Sequence, residues 1–362
     1  SWRTWRNSNI LRGAASLQYG TQFGGLINFK LKEPKPDDKF ELTTRNTIGS
    51  NNLYTNFTSI SSSNDNLGYY GYVNYKIGDG FRPNSDFESI NTFQSLNLKL
   101  TDRSKLTSEI TYLEYLAHQA GGLSDRMFEI DPYHSNRERN WFQVKWLLYN
   151  LKYLYEISPD SNFSFSFFGL DATRNALGFR TNRVDQIDFG EERDLIKGRF
   201  RNFGFETRYI NNYTVLNKKS YLLLGAKYYN SFSESTQGPG SASKDANFNF
   251  DYLNFPNYVN QSEYSYPNFN LALFGENIFY LNENFSITPG FRYENINTNL
   301  DGYYRRINLD AAGNTIYNEV FQESDSKKRN FLLLGLGISY KKNNTELYLS
   351  LIHISEPTRP YL

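Results

Sequence analysis

The sequence predicts an all-β protein: an antiparallel transmembrane β-barrel, preceded by a short separate piece. Three observations carry this. The chain of 362 residues is polar, yet it holds 29 Tyr, 29 Phe and 4 Trp, or 17% aromatics. Mean hydropathy is −0.64, and no apolar run approaches the ~18 residues a membrane helix needs. Apolar residues instead recur with period two, and short connectors alternate with long ones along the chain. Aromatic girdles around a polar lumen fit all three.

The same arithmetic excludes several classes. With 39 basic and 38 acidic residues the net charge is +1, so no electrostatic field favours nucleic acid as partner. With no Cys there is no disulfide framework, thiolate zinc site, iron–sulfur cluster or Cys nucleophile.

The elements follow in order. Glycines at 13, 20, 24 and 25 punctuate the first segment, and residues 26–31 form a strand with Ile27 and Phe29 on one side. The spacing fits neither a dinucleotide fingerprint nor a P-loop. About thirteen strands are expected between Phe40 and Tyr348. Phe163, Phe165 and Phe167 alternate with Ser164 and Ser166. Phe203, Phe205, Thr207 and Tyr209 alternate with Asn202, Gly204, Glu206 and Arg208. In residues 284–295 an apolar set alternates with a set containing Arg292 and Glu294, and Leu332, Leu334, Leu336, Ile338 and Tyr340 form another. One apolar and one charged face is the pattern of a barrel wall, although a soluble sandwich produces a similar one.

Tight turns are expected at 63–66, 101–104, 158–161, 215–219, 282–284 and 341–344. Long loops are expected at 79–89, 115–140, 173–198, 231–266 and 297–327, with a brief first connector at 49–52. In a meander, alternate connectors lie at opposite ends, so one end carries tight turns and the other long loops. Outer-membrane barrels have this asymmetry. Residues 349–359, LSLIHISEPTR, resemble the in-frame translation of a sequencing adapter. Residues 349–362 are expected to be a non-native tail, and they are set aside with His353.

Residues 12–34, RGAASLQYGTQFGGLINFKLKEP, resemble the end of the plug domain of TonB-dependent outer-membrane receptors. There an RGxASxxYG stretch precedes a GG-x-[IV]-N segment. The carriers are Arg12, Gly13, Ala15, Ser16, Tyr19, Gly20, Gly24, Gly25, Ile27 and Asn28. The family's upstream acidic residue is replaced by Asn9. GDGFRPN at 78–84, GGLSDRMFEID at 121–131, NRERNWF at 136–142 and TPGFRY at 288–293 resemble the ferric-dicitrate branch.

The resemblance implies a fragment of a 22-stranded barrel. Residues 1–35 would end the plug and 36–348 would form part of the barrel. It implies energised uptake of a ferric chelate such as ferric dicitrate across the outer membrane of a Gram-negative bacterium. Partners would be the chelate, outer-membrane lipid and the TonB complex, the last through an N-terminal region outside this chain; a monomer is expected. No cofactor is implied, because the chelate carries the iron. Another siderophore or glycan is the alternative ligand; a passive porin or an outer-membrane enzyme is the alternative class.

Citrate carboxylates call for hydrogen-bond donors, and arginine binds them bidentately. Residues 115–140 and 173–198 hold Arg126, Arg137, Arg139, Arg174, Arg180, Arg183 and Arg193, amid acids such as Asp185, Glu191 and Glu192. The resemblance singles out Arg137, after GGL…D, and Gln22 at the plug apex. Arg82 is a third candidate. The family's Arg two residues after GGL is Asp125 here, with Arg126 one step later. His118 and His134 lack the spacing of metal ligands and read as loop-surface residues. Ser16 lacks a nucleophile elbow.

Overall fold

The structure, a computed structural model, describes residues 5–11, 17–20, 26–33, 39–181, 183–215, 217–343 and 345–355. Two strands near the N-terminus, β1 (Trp5–Leu11) and β2 (Leu26–Leu31), pair antiparallel as a separate ribbon. The rest is one meander. It begins with β3 (Glu41–Ile48), β4 (Tyr54–Ser63), β5 (Leu67–Gly78), β6 (Phe87–Thr101) and β7 (Ser104–His118). A short helix, α1 (Asp125–Ile130), is capped by the Ser124 side chain, which accepts from the Met127 N–H. Then follow β8 (Trp141–Ser158), β9 (Ser161–Gly178), β10 (Arg193–Val215), β11 (Lys218–Gly240) and β12 (Gln261–Tyr280). β13 (Phe285–Leu309), β14 (Thr315–Lys342) and β15 (Thr345–Ser355) complete it. Each strand pairs with its sequence neighbour, giving a 13-stranded antiparallel sheet from β3 to β15. The expected strand number is the observed one.

The turns form as their residues allow. Asn217 and Asn343 stand at positive φ (59° and 51°) in two of the tight turns, and Asn51 and Asn52 (57° and 54°) in the first connector. Asn tolerates that left-handed region better than most residues.

The loops differ from expectation. The connector expected at 297–327 is a strand hairpin, with β13 running to Leu309 and β14 starting at Thr315. The connectors expected at 173–198 and 231–266 shrink to 179–192 and 241–260. The reason is physical: where strands project beyond the bilayer both faces are wet, so the apolar alternation that marks a strand disappears. Residues 349–355, set aside above, continue β15 against β14. A period-two string offered a free strand edge takes up pairing whatever its origin.

The two faces of the sheet differ in chemistry. One face carries Leu151, Phe167, Phe205, Tyr228 and Leu271 in a single cross-strand row. Phe165, Leu273, Tyr293 and Leu332 continue it one step toward the tight turns. This is the lipid-facing belt. The opposite face carries Ser166, Glu206, Lys227 and Glu294, and against it lies the segment 17–20. That face is the lumen wall.

Candidate functional site

The lumen wall is built around a glycine. At Gly225 an added Cβ would lie 2.3 Å from the Phe274 ring, so only glycine lets that ring lie across β11. The ring then serves as a platform for two guanidinium groups, Arg208 at 5.4 Å and Arg292 at 5.2 Å. Each is paired along its own strand: Arg208 Nε to Glu206 at 2.6 Å, and Arg292 Nε to Glu294 at 2.5 Å. Arg292 and Glu294 are almost wholly buried (3% and 4% exposed). Such a pair survives in a low dielectric only because each charge has a partner.

This cluster holds the segment 17–20. Arg292 Nη1 donates to the Leu17 carbonyl at 3.1 Å. Arg208 Nη1 donates to Gln18 Oε1 at 2.7 Å, and Gln18 Nε2 donates to Glu276 at 3.1 Å. The Tyr19 ring sits 4.9 Å from the Arg208 guanidinium. Gln22 and Arg12 lie outside the described residues.

At the long-loop end, arginines are spent on holding loops together. Arg137, 6% exposed, donates to the carbonyls of Asn136 (2.7 Å), Gln186 (3.1 Å) and Val184 (3.2 Å), and stacks on Phe179. Burial pulls its pKa below the ordinary arginine value, against the opposing pull of Asp188. Arg139 grips the Asp188 carboxylate with two donors and also reaches the carbonyls of Glu191 and Ala242. Arg193, wholly buried, donates to the carbonyls of Ser241, Arg139 and Asp245. Arg82 donates to the Gly121 carbonyl at 2.8 Å. Four connectors are thus tied into one body.

Of the residues singled out from the sequence, Arg82 and Arg137 act here as ties between loops. Arg126 is exposed on α1. His118 departs from the expectation of a loop-surface residue. It ends β7 and is largely buried (14% exposed). Its Nδ1 meets Asp86 at 2.8 Å, its Nε2 meets the Glu138 carbonyl at 3.0 Å, and its ring stacks on Trp141 at 3.7 Å.

Sequence reasoning named Arg174 only as one loop donor among several and missed Arg306 and Arg329. The strand registers put Arg174, Arg306 and Arg329 on the lumen face above the Arg208–Arg292 cluster. All three are exposed. Among the described residues none makes a side-chain hydrogen bond, and Arg174 only rests its guanidinium over Phe200 at 5.9 Å. The available signal was parity: once Arg208 and Arg292 are read as lumen-facing, the pairing registers assign the rest.

No protein-family model matches the chain, and no curated protein does. Solved structures do. The ferric citrate transporter FecA, in unliganded form, is similar with a TM-score of 0.71 at 18% identity, over 94% of this chain and 48% of that one. The siderophore receptor PiuA from Acinetobacter baumannii is similar with a TM-score of 0.74 at 11% identity, over 96% and 54%. The ferric yersiniabactin uptake receptor FyuA from Yersinia pestis is similar with a TM-score of 0.69 at 14% identity, over 94% and 50%. The chain therefore has the fold of part of a receptor barrel and spans about half the length of these proteins.

Proposed function

We propose that this chain is the plug end and barrel wall of a TonB-dependent transporter that takes up a ferric chelate, ferric dicitrate being the ligand. The observation that carries the reading is the lumen wall. Its lower part is bonded to the segment 17–20, which suits a plugged barrel better than an open pore. Its upper part presents Arg174, Arg306 and Arg329 with unspent donors, which suits an anionic cargo. Ferric dicitrate offers carboxylates to such donors without asking the protein for a metal ligand. Arg126 adds a donor from α1, while Arg82 and Arg137 hold that loop in place. The chelate would bind between the long loops and the plug, and TonB would open the path beneath it.

The test uses the complete gene product, refolded in detergent and titrated with ferric dicitrate while tryptophan fluorescence is followed. Saturable quenching absent with iron-free citrate is expected. Arg174→Ala and Arg329→Ala should each weaken Kd by about tenfold, the loss of one charge-assisted contact worth ~1.4 kcal/mol. A folded protein that ignores ferric dicitrate but binds another siderophore or a glycan overturns the ligand and keeps the scaffold.

A further inference from the structure

Between β7 and β10 the lumen wall is apolar where a wet lumen calls for polar side chains. Trp146 and Leu148 share the face of Lys152, which pairs with the lumen-facing Ser166, because side chains alternate along a strand. They are 38% and 39% exposed, as open as Leu147 and Leu151 on the lipid face at 40% and 41%. The pairing registers extend the strip. Leu113, Trp146, Ala172 and Phe200 form one cross-strand row, and Leu148 pairs with Leu170 in the row below. Lipid accounts for the open outer pair, but it does not reach the inner one.

The segment 17–20 is held elsewhere. Its partners Arg208, Glu276 and Arg292 stand on β10, β12 and β13. Counted from the tight turns that bound β8, β10 and β13, Trp146 is about five residues higher than Arg208 and Arg292, or roughly 12 Å at a tilt near 40°. On the same count Arg174 stands within about one residue of Trp146. The two are close in register: Arg174 pairs with Val144, the next residue on the face of Trp146. Above Glu109, Lys152 and Glu206 and below Asp194, Arg174 is the only charged residue on the lumen face of β7–β10 among the described residues. A guanidinium with open donors and an open apolar strip thus lie side by side at one level.

We propose that this strip takes the alkyl arm of an amphiphilic ferric chelate. The chelate's carboxylates meet Arg174, and its arm lies along Trp146, Leu148 and Leu170. A bare dicitrate complex engages the guanidinium and leaves the strip in water, whereas an alkylated relative covers both. The inference rests on the reading of the lumen as the path of a ferric carboxylate chelate, and it widens the cargo to citrate derivatives with an apolar tail.

The test is calorimetric titration of the complete gene product in detergent with three ferric chelates. These are the complexes of citrate, of citric acid mono-methylamide and of citric acid mono-octylamide. The octylamide complex should bind about tenfold tighter than the methylamide complex, the worth of roughly two buried methylenes. Trp146→Ser with Leu148→Ser should remove that gain, while ferric dicitrate binding and the heat-dependent gel shift of the folded barrel stay unchanged. The double variant in the same detergent also accounts for uptake of the octyl chain by micelles. In the ligand-free protein acrylamide should quench Trp146, read as the difference between wild type and Trp146→Ser. A Trp146 shielded from acrylamide there means that the plug covers the strip, and overturns the proposal. A folded protein that binds ferric dicitrate but gains nothing from the octyl arm overturns it too and leaves the cargo reading intact. A folded protein that binds none of the three overturns both.

Discussion

At the scale of single residues, burial decides what each arginine does. Arg139 and Asp188 are 5% and 12% exposed, so truncating one strands the other's charge away from water. Arg139→Ala is expected to cost about 3–5 kcal/mol, felt in the order of residues 179–192. A nitroxide at the exposed Ile187 should report it as a narrowed spectrum. Burial raises the Asp188 pKa, but hydrogen bonds from Arg139 and the Gly190 N–H outweigh it and hold the carboxyl below its usual range. The folded value is depressed, so the stabilisation is complete above the unfolded carboxylate range and is lost as pH falls through the folded value. The same nitroxide should gain mobility only below about pH 4, and Asp188→Asn should abolish that step. Arg137 shows the limit of sequence reading. The residue type suited a carboxylate ligand, but which acceptors fill its fork depends on residues 183–186, which approach only in the fold.

At the scale of elements, alternation carried most of the information. Strands with an apolar outer face were legible because lipid imposes a strict period: 163–167, 203–209, 285–293 and 332–340 fall on the observed strands. The upper halves of β13 and β14 were not, because water on both faces imposes none. The charged cluster that grips the segment 17–20 was half legible. Arg208, Glu206, Arg292 and Glu294 stood out as lumen-side positions, but a contact joining residue 17 to residue 292 leaves no trace in local pattern. The two faces predict opposite tolerances. Leu334→Arg on the belt should destabilise by about 2–4 kcal/mol. Ser166→Arg on the lumen face should be near neutral. Urea unfolding from liposomes, read by tryptophan emission, separates the two.

At the scale of the whole molecule, the sheet has two ends. β3 pairs only with β4 and β15 only with β14 among the described residues. Each leaves a row of backbone groups that lipid cannot satisfy. The 362-residue chain refolded alone is therefore expected to give no heat-modifiable band and to associate through its edges. The complete gene product should show the band. A monomeric, SDS-resistant species from this chain alone would contradict this reading and require the two edges to meet. The loop arginines add a second property at this scale. With connectors 79–86, 119–140, 179–192 and 241–260 cross-tied, the open end of this half of the wall is a stiff rim rather than a set of independent flaps.

The hairpin of β13 and β14 ends level with that rim in strand register: Ile196, Gln237, Ser262 and Tyr304 share one cross-strand row, so β13 outruns β10 by only two residues. Residues 294–309 run on past the belt for about 50 Å along the strand, which at a tilt near 40° is about 40 Å of height. Its tip, residues 310–314, is closed by Asp310 accepting from the Ala312 and Asn314 N–H groups. An antibody would meet it alongside the connectors 179–192 and 241–260, as one projection of a shared front. A short epitope spliced beside Ala312 should be visible to the outside world without disturbing the wall below.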